Sequence, residues 1–376
     1  MLILEIIGGL LILVILVAVH ELGHAIVAHR NGVVVEEFGI GFPPRAWGKK
    51  LKNGVLFTLN WLPLGGFVKL QGEHDDDNKP GDYGRATFWQ KTKILFAGVL
   101  MNWLIAAFLL TILALIGLPK ILPNQFVVPA DVHQVQQPVQ ITEVEKGYPA
   151  TKAGMKAGDE ILKLNNQKIT SADQLVTLTK KLHGQTVPVT YRHAGNDVQT
   201  SLTLRNDPSK PVLGAGLGQQ ESIRATWSAP IVGVGTTIQY TWVTLQGTVG
   251  LVYNLISGLV LQLVPAQHKT ADANLSSVSG SVAGPVGILG TIFPAAEKAG
   301  PIQLVFLTAI ISLSLAVMNA LPIPALDGGR WFVSWLYRVR RKKLTKEKEE
   351  QIQAVGFSVL MALVVIITVG DVVKLF

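Results

Sequence analysis

Four stretches of this chain are too long and too apolar to be the core of an ordinary water-soluble domain. Leu2 to Val19 carries Glu5 as its one charge and continues through His20, Glu21 and His24 to Ala28, and further apolar runs cover Ile94–Leu118, Ile302–Leu321 and Ala354–Gly370. At about 1.5 Å per residue, some 20 residues of helix cross a hydrocarbon layer of ~30 Å. Lipid offers no partner for backbone N–H and C=O groups, so runs of this length dictate helices. A cleaved signal peptide would need a basic leading region and a small-residue cleavage site, whereas the sequence starts Met1-Leu-Ile-Leu-Glu5. The expectation is a polytopic α-helical membrane protein with four transmembrane helices. Only 15% of the 376 residues are charged and 49% are hydrophobic, which excludes disorder and argues against a simple soluble enzyme. On such a chain the net charge of +8 reads as basic loops at a membrane surface rather than as nucleic-acid binding. The absence of Cys removes disulfide frameworks, thiolate zinc sites and Cys nucleophiles, and leaves the compartment open.

Between the second and third runs, Val139 to Arg205 reads as a water-soluble insertion. Strand-like alternation occurs at Val139–Val144, Val187–Tyr191 and Val198–Leu204, with a polar helix over Ser171–Leu182. The segment Gly147-Tyr-Pro-Ala-Thr-Lys-Ala-Gly-Met-Lys-Ala-Gly-Asp-Glu-Ile-Leu-Lys-Leu-Asn-Asn166 resembles the core of a PDZ domain. The resemblance covers about 80 residues and implies an open sheet edge beside a helix, where an extended peptide can add as a strand. The alternative is a spacer that gates access without binding peptide. Val212–Leu217 is the candidate permuted strand and glycine loop. Asp75-Asp-Asp77, among Asn78, Pro80 and Gly81, reads as a solvated turn rather than a cation site.

His20-Glu21-Leu22-Gly23-His24 is H-E-x-x-H. On a helix the i, i+4 spacing places both imidazoles on one face, where they can hold one Zn²⁺, and Glu21 beside that face can take a proton from water that the metal has acidified. Ionisable groups within an apolar helix are costly and point to function. A catalytic zinc site needs a third protein ligand. His29 is turned off the metal face, while His74, His133, His183, His193 and His268 lie in polar insertions. Asp327 follows the third run in Asn319-Ala-Leu-Pro-Ile-Pro-Ala-Leu-Asp-Gly-Gly329, where two prolines break the helix and glycines admit close backbone approach. In isolation that segment also reads as a helix-ending turn with an N-cap Asp.

In combination, these two motifs resemble the site-2 protease family of intramembrane zinc metalloproteases (peptidase M50), in particular its bacterial RseP-like branch, which carries a PDZ domain between the second and third spans. The similarity extends to Phe38–Pro43, Leu64–Val68 and Gly284–Ile288. It implies His20, His24 and Asp327 as ligands of one Zn²⁺ and Glu21 as general base, with Asn319 holding the substrate backbone or the oxyanion. Some members carry two PDZ domains in tandem; one PDZ core is recognisable here.

Charge tests the arrangement. Arg30–Lys93 holds ten Lys/Arg in 64 residues and Pro322–Gln353 eight in 32, against fourteen in the 184 residues of Leu118–Pro301. The short loops therefore belong to the cytoplasmic side, and the N-terminus and PDZ-like insertion to the extracytoplasmic side of a bacterial cytoplasmic membrane. His20 then lies about 27 Å along the first helix, near the inner face, where the third span also delivers Asp327. A single crossing at Trp227–Val264 would reverse the third span, so that segment is expected to be an amphipathic helix lying at the outer interface or dipping in without crossing. Strand-like runs at Val33–Val35, Val55–Asn60 and Gly66–Leu70 suggest a β-loop beside the metal; its Gly65, Gly66 and Phe67 are candidate substrate-binding residues, and the alternative is a hairpin with no substrate role.

The expected division is 1–30 for the first span, 31–93 for the β-loop region, 94–118 for the second span, and 130–220 for the PDZ domain. It continues with 221–300 for the interfacial segment and linker, 301–330 for the third span, 331–353 for the basic loop and 354–376 for the fourth span. The expected activity is zinc endoproteolysis of transmembrane segments of single-span proteins, including anti-sigma factors and remnant signal peptides. Membrane lipid and a peptide at the PDZ edge complete the expected partners. A catalytically dead adaptor has no need of buried ionisable ligands, and four spans with no polar pathway make a poor metal transporter.

Overall fold

The computed structural model describes residues 2–375 apart from 137, 194, 208–210, 220 and 265–266; the expected ranges 1–30, 130–220, 221–300 and 354–376 each include residues outside that set. In chain order the first elements are α1 (Leu2–Arg30), β1 (Val35–Lys50), β2 (Leu56–Leu70), α2 (Phe88–Ile116), β3 (Leu118–Pro119), β4 (His133–Gln136) and β5 (Val139–Val144). There follow α3 (Pro149–Lys152), β6 (Glu160–Leu164), β7 (Gln167–Lys168), α4 (Ala172–Lys181), β8 (Thr186–His193), β9 (Asn196–Thr203), β10 (Ala215–Gly218) and β11 (Glu221–Arg224). The remainder is helical: α5 (Ala229–Leu261), α6 (His268–Ser281), α7 (Pro285–Gly287), a π-turn at Ile288–Ile292, α8 (Phe293–Ala299), α9 (Pro301–Ala320), α10 (Asp327–Val339) and α11 (Lys346–Leu375). They form two compact units, Met1–Ile112 with Pro230–Phe376, and Leu113–Ala229.

In the first unit α1 and α2 run antiparallel in close contact, since His24 meets Ile94 while His20 meets Asn102. Ser312 of α9 donates to the Asn102 carbonyl at 2.8 Å, which brings the third apolar helix to the same level. Among the described residues five helices, not four, are long and apolar enough to cross a membrane: α1, α2, α5, α9 and α11. The addition is α5, a continuous helix of 33 residues over the segment expected to be interfacial. Thr237, Thr241 and Thr248 return their hydroxyls to carbonyls one turn back, at 2.7 to 2.8 Å, so these three add little unpaired polarity to it. The polar helix α6 packs back on α5 through Asn274 to Ser257 and Gln262 to Asp272. This helix, 14 residues long, folds back along the C-terminal part of α5.

Segments β1 and β2 double back on themselves. Residues 37–40 pair with 56–59 and with 66–69, which leaves Gly66–Leu70 as an edge. The charged stretch before the last helix is not all loop. Glu347 and Glu349 occupy the first turn of α11, where carboxylates suit the positive end of the helix dipole.

In the second unit the strand path is β10-β5-β6-β8-β9, with β7 on β6, and a separate sheet runs β3-β11-β4. The alternating strands put Val139, Ile141, Ile161, Val187, Val189 and Leu202 into one core with Leu175 of α4. Ser171 caps α4 by accepting from the Gln174 amide. β10 pairs only with β5 along that path, so the strand predicted at 212–217 lies at a sheet edge. Gln219 ties its end to the start of α4, accepting from the Ala172 amide and donating to the Thr170 carbonyl.

Candidate active site

Two helical turns of α1 present His20 and His24, both more than nine-tenths buried, with their Nε2 atoms 3.1 Å apart. Asp327 reaches them from the first position of α10, its Oδ2 standing 3.0 Å from His20 Nε2 and 3.3 Å from His24 Nε2. The Asp327 turn is compact. A methyl added at Gly328 would stand 2.3 Å from the Ala320 carbonyl oxygen, and one at Gly329 would stand 1.9 Å from that of Ile323, so only glycine lets the chain fold back this tightly after α9. Among the described residues these three form the one group of His, Asp and Glu side chains gathered closely enough to hold a metal ion. Tetrahedral zinc with ligands at about 2.0–2.1 Å spaces its ligand atoms roughly 3.3 Å apart. The donor set and its spacing fit zinc.

The surroundings leave room for an ion. Gly98 of α2 faces both rings, and a Cβ there would lie 2.5 Å from His24 Nε2 and 2.7 Å from His20 Nε2. His24 Nδ1–H donates to the Ile94 carbonyl at 2.8 Å, and the Asn102 side chain stands 3.4 Å from His20 Nδ1. Ile94, Gly98 and Asn102 were not singled out from the sequence. Their signal is a Gly and an Asn spaced i, i+4 within an apolar helix, matching the spacing of the two histidines.

Glu21 is half-buried beside the imidazoles. Gly66 looks onto the same side chain; a methyl there would stand 3.6 Å from Glu21 Cγ and 3.7 Å from Val17 Cγ1. The edge 66–70 therefore runs beside Glu21, as a β-loop near the metal requires. The other substrate candidates sit less directly. Gly65 borders Phe42, Phe67 packs over Gly39, and Asn319 is half-buried in the last turn of α9, one residue before the carbonyl against which Gly328 closes. His29, His74, His133, His183, His193 and His268 are not in the cluster; His193 pairs with Asp159 and His74 with Glu350.

Next to Asp327 a cavity of 460 Å³ is lined by Glu73, His74, Arg330, Glu349 and Gln353 among others. Arg330 pairs with Glu349 at 3.3 Å, donates to the Glu73 carbonyl and lies over the Tyr83 ring at 4.6 Å. Burial pushes the Tyr83 phenol well above its ordinary range, against the pull of Arg330. Trp331 donates to Thr92 of α2 at 2.9 Å and stacks on Trp335. Asp327 is thus held from both sides of its turn.

Comparison with known proteins accounts for this arrangement. A model of peptidase family M50 matches residues 8–363. The chain belongs to peptidase family M50. A protein of Clostridium perfringens named as a zinc metalloprotease is 33% identical over 371 residues, covering 98% of each chain. The regulator of sigma-W protease RasP of Bacillus subtilis is 25% identical over 445 aligned residues, covering 96% of each. A solved PDZ domain of the SdrC-like protein of Listeria monocytogenes is 23% identical and covers 21% of this chain and 86% of its own, with a TM-score of 0.20. As a member of the family, the chain is a membrane-embedded zinc metalloprotease.

Proposed function

We propose that this chain cuts the transmembrane segments of single-span proteins and remnant signal peptides near the cytoplasmic face, with one Zn²⁺ per chain held by His20, His24 and Asp327 and with Glu21 as general base. The observation that carries the reading is the meeting of the three ligand atoms within 3.3 Å of one another beside Glu21. Zinc, when bound, supplies a Lewis acid that acidifies water and polarises a carbonyl. Glu21 takes the proton from the attacking water and returns it to the leaving amine.

A helical peptide bond hides its carbonyl in a hydrogen bond, so the substrate has to be held extended. The edge at Gly66–Leu70 offers backbone groups for that pairing, with Gly65, Gly66 and Phe67 bordering the bound strand and Asn319 holding its backbone or the oxyanion. The polar cavity at Asp327 supplies a route for water to a site within apolar helices. In this reading α1, α2, α9 and α11 cross, while the α5–α6 hairpin enters and returns. The N-terminus and the PDZ-like unit face the extracytoplasmic side, which the loop charges favour. The open edge of β10 beside α4 is where a peptide would add.

The name of RasP attaches that relative to control of sigma-W, and supports anti-sigma factors as substrates here, within regulated intramembrane proteolysis. Glu21→Gln is the direct test. The variant, purified in detergent, is expected to retain zinc at wild-type stoichiometry and to lose cleavage of a single-span reporter; retained cleavage refutes the assignment of Glu21.

A further inference from the structure

Each imidazole that binds a metal through Nε2 carries its proton on Nδ1, and an acceptor at Nδ1 fixes both the tautomer and the orientation of the ring. For His24 that acceptor is settled, because a backbone carbonyl can only accept and the Ile94 oxygen stands 2.8 Å from Nδ1. His20 has the same requirement, since its Nε2 faces His24 Nε2 and Asp327 Oδ2. The group that faces its Nδ1 is the Asn102 amide at 3.4 Å.

Asn102 is completely buried, and its Oδ1 is without a hydrogen-bond partner while the amide nitrogen is turned to His20. That orientation sets a donor against a ring nitrogen that must itself donate once Nε2 is committed to a metal. Turned by 180°, the same amide presents Oδ1 to Nδ1–H, and a buried acceptor that has no partner gains a donor. The side chain sits on a fixed base, because Ser312 of α9, also fully buried, donates to the Asn102 carbonyl at 2.8 Å.

We infer that Asn102 is the positioning residue of the metal centre, its Oδ1 accepting the Nδ1 proton of His20 and holding Nε2 toward the ion. Three successive turns of α2 then act as a template: Ile94 orients His24, Gly98 leaves the space for the ion, and Asn102 orients His20. Asn102 touches neither substrate nor metal and acts through His20.

The inference rests on His20 and His24 being zinc ligands, and its test separates the two claims. Zn²⁺ affinity of the full chain in detergent is measured by competition with a chromogenic chelator for wild type, His20→Ala, Asn102→Leu, Asn102→Ala and Asn102→Asp. Loss of an outer partner of a metal-binding histidine lowers affinity by roughly 10–100-fold. Asn102→Leu and Asn102→Ala are expected to weaken Zn²⁺ binding to that extent. Asn102→Asp, which still accepts from Nδ1–H, is expected to stay within about threefold of wild type, and this rescue is what a packing role alone would not produce. Selective ¹⁵N labelling of histidine provides the second readout: a protonated Nδ1 on His20 in wild type and Asn102→Asp, and exchange between tautomers in Asn102→Leu. If Asn102→Ala does not fold, the contrast of Asn102→Asp with Asn102→Leu decides. Equal affinity in Asn102→Leu and wild type overturns the inference, as does an Asn102→Asp variant no tighter than Asn102→Leu. Unchanged affinity in His20→Ala overturns the ligand assignment beneath it.

Discussion

Replacing Gly98 by Ala adds one methyl group at the place where the ligand atoms converge. Its carbon would lie 2.5 Å from His24 Nε2 and 2.7 Å from His20 Nε2, short by 0.9 and 0.7 Å of the 3.4 Å at which ordinary contact begins. Metal–ligand distances tolerate about 0.2 Å, so the rings would have to retreat several times further than coordination permits. A displacement approaching 1 Å costs on the order of 10²-fold in a catalytic site. The same change removes a glycine from the interior of α2, which by helix propensity favours the fold by about 1 kcal/mol. The clash is with the rings themselves and is present with or without the ion, so an overpacking cost of about 1–3 kcal/mol opposes the propensity gain. Gly98→Ala is expected to lose about 100-fold in Zn²⁺ affinity and in cleavage of a single-span reporter, while the metal-free protein loses no more than about 2 kcal/mol of stability in detergent. Gly247→Ala in α5, where an added methyl has nothing within 4 Å, serves as the control and is expected to leave both unchanged. Wild-type Zn²⁺ affinity in Gly98→Ala would refute the reasoning.

Two further outcomes test the supports around the site and in the PDZ-like unit. Arg330→Leu removes the guanidinium from Glu349, whose side chain is 4% exposed, and leaves it His74 Nδ1, at 4.0 Å, as ionic partner; the expected loss is about 3 kcal/mol, the low end for a broken buried pair because Arg330 itself is 24% exposed. Denaturant unfolding in detergent checks it, and a double variant with Glu349→Leu should recover most of the loss. In the second unit, burial opposes ionisation of Asp131, but hydrogen bonds from Thr226 and Ser228 outweigh it and hold the carboxyl well below the usual carboxylate range. A lowered folded pKa stabilises above the unfolded value of about 3.9 and loses that contribution as pH falls through the folded one. Hydrogen-exchange protection of the Thr226 and Ser228 amides, which both donate to Asp131, should exceed that of Asp131→Asn at pH 5 to 7 by a constant margin, given the reference value of about 3.9. The margin should shrink progressively below about pH 4; one unchanged down to about pH 2 contradicts the account.

Much of the candidate site is legible in the sequence because its chemistry is expensive where it stands. His20, Glu21 and His24 declare themselves by interrupting an apolar helix, and Asp327 by following two prolines with two glycines. The template on α2 was not legible for the opposite reason: Gly98 works by having no side chain, and Asn102 is a single neutral amide among apolar neighbours. The strands of the second unit followed their alternation closely, since each has one face in a core. The β1–β2 region did not, because strands that double back on themselves combine several partners in one run of sequence. How deep α5 reaches is hard to read from the sequence because its threonine hydroxyls, which look polar there, are satisfied by its own carbonyls. The helix α11 begins at Lys346, before the apolar run at Ala354, because its leading glutamates make a favourable first turn.

The tight return at Gly328 and Gly329 bears on how the protein acquires its metal. In small metal-dependent domains, ligands are gathered only as the ion binds, and metal affinity is spent on ordering the chain. Here Asp327 is delivered by backbone packed against the Ala320 and Ile323 carbonyls, and the histidines by two turns of one helix. Loading with zinc should therefore be a local event with little heat-capacity change, and stripping the ion should leave the helices where they are, ready to take it up again without refolding.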